Sequence, residues 1–300
     1  MNVPKKYWQI AKRLSSAQLQ KQSDAGCIIS ETDLFNINIG KRGHNFFLGY
    51  YSLEGIKLAF EKYDVIKKLN EKGFSHLDYE LDTSDPYVHR LIVYNKNKSP
   101  QNILIELVLK KYSVVIDMPF RTVLNDRCYE TIAIEWMCLQ NPYGEFKKER
   151  PQLPGQQKPG LGVASKAVEL LMIMAWRLNL YGLVNTPDHY HNACLYSRIF
   201  FYLNPDYQAL LMCLMRDLGK FPLDVVAWAI EWGIVYDLET DKSLEWPVGK
   251  QIVPLHPDLK KLFNSKEYNN YVKEKMKNYK FNIDIEKYKK IKERGVLHEA

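Results

Sequence analysis

The residues whose types and spacing first suggest chemistry are Gln157, Lys158, Gly160, Leu161 and Gly162. They lie in the run Gln156-Gln157-Lys158-Pro159-Gly160-Leu161-Gly162, which feeds directly into an apolar helical stretch. Glycine lets an anion approach the backbone with no Cβ in the way. The first N–H groups of a helix have no intrahelical partner, and the helix dipole adds partial positive charge there. The chemistry implied is capture of a phosphate-like anion by backbone donors. A second group is Asp188-His189-Tyr190-His191. Two histidines at i, i+2 beside an acid resemble part of a metal site, but no third and fourth ligand cluster accompanies them. His189 and His191 are therefore read as lining a substrate site or capping a helix that begins near Asp188. The third candidate is Glu135, either a general base or an ordinary salt-bridged glutamate.

These residues need elements to position them. Tyr129 to Leu139 reads as a strand. Its two-residue period puts Ile132, Ile134, Trp136 and Cys138 on one face and Tyr129, Thr131, Ala133, Glu135 and Met137 on the other. The loop that follows, Asn141 to Gly162, has 22 residues including Pro142, Pro151, Pro154 and Pro159. Long structureless loops in compact domains are uncommon and tend to be functional. Val163 to Asn179 reads as a helix, apolar except for a stripe of Lys166, Glu169 and Arg177, hence buried on most sides. Tyr181 to Asn185 reads as a short strand.

Upstream, Tyr7 to Gln22 has the apolar spacing of one amphipathic helix, with Tyr7, Ile10, Ala11, Leu14 and Ala17 on a single face. Cys27 to Ile39 reads as short extended pieces, and Lys41 to His44 as a turn. Ser52 to Asn70 reads as a helix capped by Ser52 and stopped at Gly73. His76 to Asp82, Val88 to Tyr94, and Ile103 to about Met118 read as strands whose short connections imply antiparallel pairing. Beyond Leu203 the chain turns helical: Asp206 to Leu218, Pro222 to Trp232, Asp258 to Phe263 and much of Lys266 to Lys292. Ile234 to Asp237 and Gln251 to Val253 read as a short hairpin or edge strands. The expected division is an N-terminal helix over 1–26, a core over 27–203 and a mainly helical extension over 204–300.

Composition bounds the function. The chain of 300 residues is 46% hydrophobic and 26% charged, as in a globular protein. It carries neither a secretion signal nor an apolar run of membrane-spanning length, so a soluble, cytoplasmic protein with no membrane partner is expected. The five cysteines have no paired spacing, which argues against a disulfide framework and a zinc site; three in apolar segments read as buried. Of the net charge of +7, the stretch from Lys266 to Arg294 contributes +5, with ten Lys/Arg against five Asp/Glu. The rest is nearly neutral, so a nucleic-acid footprint over the whole protein is not indicated. That stretch reads as a solvated face over packed tyrosines, dispensable for ligand binding and stability.

Three phosphate motifs can be set against the glycine loop. Gly155 to Gly160 has the spacing of an NTPase loop but lacks the Lys-Ser/Thr that should follow. Gly160-Leu161-Gly162 begins a dinucleotide fingerprint that Ser165 fails to complete. The pattern Gln/Arg-x-x-Gly-x-Gly/Ala is satisfied in full by Gln157, Gly160 and Gly162. The loop thereby resembles the pyrophosphate loop of the GNAT acyltransferase superfamily, and the order of elements from about Cys27 to Leu203 is similar to that family's core. The resemblance implies a mixed α/β fold, a mostly antiparallel sheet flanked by helices, here with the helical extension. It implies acyl-CoA, such as acetyl-CoA, as co-substrate and no metal. Asn192-Ala193-Cys194-Leu195-Tyr196 is similar to the family's Asn…Tyr helix. Asn192 would then contact substrate, and Tyr196 would protonate the leaving thiolate. The chain departs from the pattern where Asn192 and Ala193 are adjacent and where Phe200-Phe201 replaces Gly-Phe. The expected activity is N-acetyltransferase-like acyl transfer to a small molecule or protein acceptor. The alternative is an inactive scaffold that binds CoA, an acyl carrier protein or another protein.

Overall fold

The computed structural model describes residues 3–22 and 46–294. The extended pieces expected over Cys27 to Ile39 and the turn at Lys41 to His44 lie outside the described residues. The N-terminal part holds α1 (Lys5–Arg13), α2 (Ser16–Leu19), α3 (Leu53–Lys62) and α4 (Val65–Asn70). Tyr7 to Gln22 is therefore two helices rather than one. Leu14 turns extended, and Ser15 and Gln18 form a capping box that restarts the chain in a new direction, leaving Ala17 exposed and burying Leu19 instead. Ser52 caps α3 as expected, accepting from the Gly55 N–H at 3.0 Å. The helix expected to reach Asn70 breaks at Asp64, which is left-handed at φ 63°.

The sheet strands are β1 (Leu77–Asp82), β2 (Val88–Asn95), β3 (Ile103–Val115), β4 (Cys128–Leu139), β5 (Gly182–Asn185) and β6 (Phe201–Tyr202). Between β4 and β5 runs α5 (Ala164–Arg177), and between β5 and β6 runs α6 (Tyr190–Leu195). The C-terminal third contributes α7 (Pro205–Leu218), α8 (Leu223–Glu231), β7 (Val235–Asp237), β8 (Lys242–Ser243), β9 (Gln251–Pro254), α9 (Pro257–Phe263), α10 (Lys266–Lys275), β10 (Phe281–Ile283) and α11 (Ile285–Glu293).

Seven strands form one sheet in the order β1-β2-β3-β4-β5-β9-β6, antiparallel at every pairing except the parallel β4–β5 pair. The fold is thus mixed α/β with a mostly antiparallel sheet flanked by helices. The hairpin expected between Ile234 to Asp237 and Gln251 to Val253 does not form. The first pairs with β10 and β8 in a separate three-stranded sheet, and the second lies inside the main sheet between β5 and β6. All four side chains of Gln251–Pro254 are buried, which an edge strand would not achieve.

Alternation assigns the two faces. Leu183 and Val253 join a core with α1, α3, α4 and α5 on one side. Their neighbours Val184 and Ile252 join a core with α7, α9 and α10 on the other. The basic C-terminal stretch is not a dispensable face. Tyr268, Val272, Phe281, Ile283 and Tyr288 are all buried, and β10 pairs with β7. Its lysines cover a core that these side chains complete. Of the described cysteines, Cys213 is buried and Cys128 is exposed. No helix among the described residues is long and apolar enough to cross a membrane.

Candidate functional site

The glycine loop is fastened at both ends. Its return end pairs with the end of β4: the Leu161 N–H donates to the Leu139 carbonyl at 2.8 Å, and the Asn141 N–H to the Pro159 carbonyl at 2.8 Å. Its middle docks on the C-terminal helices, where the Trp228 indole donates to the Gln152 carbonyl at 2.8 Å. Prolines lower the entropy lost in holding such a path.

At the loop's exit, α5 begins without a side-chain cap and without an acidic residue in its first turn. Gly162 is exposed and left-handed, at φ +72°, a conformation that favours glycine. The N–H groups of Gly160 and Gly162 make no hydrogen bond among the described residues. Those of Ala164, Ser165 and Lys166 precede the first helical bond, from Ala167 to Val163. A Cβ on Gly160 would meet only the Leu139 carbonyl, at 3.9 Å, so the space before it is open. A Cβ on Gly162 would lie 3.3 Å from the Lys72 ammonium. Lys72, in the turn after α4, forms no ion pair among the described residues. The arrangement offers backbone donors, a dipole end and a cation to one anion. Gln157 and Lys158 are exposed beside it. Leu161 is 1% exposed and its N–H is already bonded to Leu139, so it packs rather than donates.

Glu135 occupies a β-bulge: Ile134 pairs with Leu109 and Trp136 with Val108, leaving Glu135 opposite no residue of β3. The extra residue reverses the alternation beyond it. Ile132, Ile134, Met137 and Leu139 therefore face the α5 core, and Trp136 is 54% exposed instead of sharing the face of Ile132 and Ile134. Glu135 forms an ion pair with Lys110 at 3.0 Å. Lys110 follows Leu109 in the pleat, so this pair lies on the face of the sheet away from α5.

Tyr196 follows the last turn of α6, half-buried, its ring edge-on to Phe200. Burial pushes its phenol up, so it stays protonated at neutral pH. His189 stands at the N-cap position, just before α6, but gives no side-chain cap; its Nδ1 lies 3.1 Å from Glu231. Its Nε2 would come within 2.6 Å of a Cβ on Gly155, so this histidine packs against the glycine loop. The His191 ring stacks on His189 with centroids 5.5 Å apart and is buried, with no partner for Nδ1 among the described residues. Asn192 is exposed. No group of three or more His, Cys, Asp or Glu among the described residues is arranged to hold a metal.

The structure thus brings Gly160, Gly162 and the first turn of α5 together and places His189 against the same loop, while Glu135 stands apart on the other face. Lys72, Trp228 and Glu231 were missed from sequence. Each reaches the site from another element, and no local spacing marks it.

No protein-family model and no curated protein matches this chain. Among solved structures, the chain is similar to a point mutant of the AtaT toxin bound to the C-terminus of the antitoxin AtaR and to acetyl-CoA. The match covers 74% of this chain and 91% of that one at 11% identity, with a TM-score of 0.25. A superposition of that quality does not define a shared fold.

Proposed function

We propose that the chain is a GNAT-like acyltransferase that uses acyl-CoA, with the core over 27–203 as its acyl-CoA-binding part and 204–300 as an extension that braces the loop and lends β9 to the core's sheet. The observation that carries this reading is the uncapped start of α5 beside Gly162, with free backbone donors and Lys72 at hand. When bound, acyl-CoA supplies a thioester, an acyl group already activated for attack by an amine. In this reading Gly160, Gly162 and the first turn of α5 hold the pyrophosphate by backbone N–H groups, and Lys72 adds charge. Gln157 and Lys158 flank it. Tyr196 donates a proton to the departing sulfur. His189, His191 and Asn192 lie on the acceptor side, whether that acceptor is a small molecule or a protein.

A second reading is a catalytically inactive scaffold that binds CoA, an acyl carrier or another protein. The specific observation favouring it is that Glu135, the carboxylate offered as base, is ion-paired with Lys110 on the far face. Calorimetric titration with CoA and acetyl-CoA, followed by an acetyl-CoA hydrolysis and transfer assay, separates the two. Binding with turnover supports the enzyme, and binding without turnover supports the scaffold. Absence of heat with both ligands, and with an acyl carrier protein, overturns the enzyme and the acyl-carrying scaffold alike, leaving the loop a proline-stiffened connection.

A further inference from the structure

A cavity of ≈ 50 Å³ lies between α5 and the helices of the N-terminal part, running from Val163 to Arg177. Its walls among the described residues are almost wholly apolar, including Leu19, Phe60, Leu107 and Leu171. Four polar side chains interrupt them, of which Lys166 is already bonded to Tyr7 and paired with Glu169. Tyr51 and Tyr63 are each 3% exposed, and both hydroxyls are buried without a hydrogen-bond partner among the described residues. The Arg177 guanidinium acts electrostatically on both and approaches Tyr63 closely, in a geometry too poor to satisfy its hydroxyl. Arg177 donates through Nη2 to the carbonyls of Ala11 and Leu14. Nε and Nη1 make no hydrogen bond among the described residues. It has no carboxylate partner among the described residues.

Buried hydroxyls are normally satisfied, and a cation facing an apolar cavity is normally paired. Here one guanidinium without a carboxylate and two orphan hydroxyls face the same space, beside a Lys166 whose charge Glu169 already balances, so the missing partner is an acceptor with negative charge. A carboxylate fits: its oxygens accept at about four lone-pair sites and match the guanidinium fork. A phosphate would bring more charge than one guanidinium and two neutral hydroxyls can satisfy. The rest of the ligand must be apolar. Because a water needs about 10–15 Å³ by the same measure, the cavity takes about three to five heavy atoms.

We propose that this cavity binds a short aliphatic carboxylate, its head held by Arg177, Tyr51 and Tyr63 and its chain lying along α5. The site stands independently of the glycine loop. The test is thermal unfolding of the full chain in acetate, propionate, butyrate, valerate and hexanoate at matched ionic strength, with n-butanol as the uncharged control. The melting temperature should rise saturably with the carboxylates, most with acetate and propionate, whose four and five heavy atoms the cavity admits, because a ligand of the folded state stabilises it. It should not rise with butanol. Tyr51→Phe/Tyr63→Phe keeps both rings and removes both orphan hydroxyls. The unliganded double variant should be at least as stable as the wild type, while its affinity for the best carboxylate falls about tenfold or more. Arg177→Lys, which retains charge without the fork, should fall similarly. Gly160→Ala should leave this binding unchanged. Equal responses to propionate and butanol, no carboxylate response beyond that of sodium chloride, or unaltered affinity in the double variant would each overturn the proposal.

Discussion

The Lys72 ammonium lies 3.3 Å from the point a Cβ would occupy on Gly162, two residues far apart in sequence that meet at the start of α5. This contact separates two glycines that look equivalent in the loop. Gly162 has φ +72°, so any side chain there is strained whatever the ligand. Gly160 has room for a methyl group. Gly162→Ala should therefore cost about 1–2 kcal/mol of stability, whereas Gly160→Ala should leave stability within about 0.5 kcal/mol. Yet Gly160→Ala should weaken CoA binding about tenfold or more, since a charged hydrogen bond contributes about 1.5–3 kcal/mol. Lys72→Ala should weaken it less and in a salt-dependent way. Denaturant unfolding and calorimetry on the same three variants provide the comparison. A Gly160→Ala protein with wild-type affinity would refute the cradle.

Trp228 is 1% exposed and is the loop's tie to the C-terminal helices. Trp228→Phe removes the indole donor and leaves the Gln152 carbonyl without its partner, at a cost of about 1–3 kcal/mol. The loss should be local as well as global. Hydrogen exchange across 152–162 should accelerate more than exchange in β3 and β4. Uniform acceleration would mean that the tryptophan serves only the core.

The basic C-terminal stretch offers a test at larger scale. Removing residues 266–294 deletes Tyr268, Phe281 and Tyr288, each buried. Truncating a buried aromatic costs about 3–5 kcal/mol. Three such losses rival the about 5–15 kcal/mol that holds a typical domain. The shortened chain should therefore show no cooperative thermal transition. A cooperative transition near the wild-type temperature would show instead that these helices ride on an independently stable body.

Much of this architecture is legible in the residues. Ser52 announced α3, Gly73 the end of the helical stretch after it, and the runs at Leu77, Val88, Ile103 and Tyr129 the antiparallel strands. What escaped has physical causes. Asp64 adopts a left-handed conformation that spacing does not reveal, so α3 and α4 read as one helix. The bulge at Glu135 shifts the alternation, and a strict two-residue count then places Trp136 inside. Gln251 to Val253 is short and follows a loop, so nothing local tells that it enters the sheet between β5 and β6. At the candidate site the glycine pattern was readable because its donors are consecutive in the chain. Lys72, Trp228 and Glu231 were not, because tertiary packing alone brings them there.

Glu135 and Tyr196 make opposite predictions. The carboxylate is paired with Lys110 in an exposed pair, which contributes little to stability. If acyl transfer is detected, Glu135→Gln should leave its rate within about threefold of the wild type, because the ion pair faces away from α5. Tyr196→Phe should leave CoA affinity unchanged and lower turnover by about 10²–10⁴-fold, the range for general acid catalysis. A hundredfold loss in Glu135→Gln would restore this glutamate as the base and require the acceptor to bind on the far face.

The last prediction concerns acid. Burial, reinforced by the neighbouring His189, pushes the His191 imidazole from 6.5 down to about 4. The folded state therefore holds His191 neutral over a range in which the unfolded chain binds a proton. Where the unfolded state binds more protons, stability rises with pH. The contribution of His191 is thus fully present above pH 6.5 and declines as pH falls through the folded value near 4. A shift of that size corresponds to about 3 kcal/mol. His191→Phe removes the titrating group, keeps an aromatic ring against His189 and eliminates the unpartnered Nδ1. Urea unfolding at pH 7 and pH 4.5 should show a smaller loss of stability for the variant than for the wild type, by about 2–3 kcal/mol. Equal losses in the two proteins would show that other groups carry the acid sensitivity and that His191 is protonated within the fold.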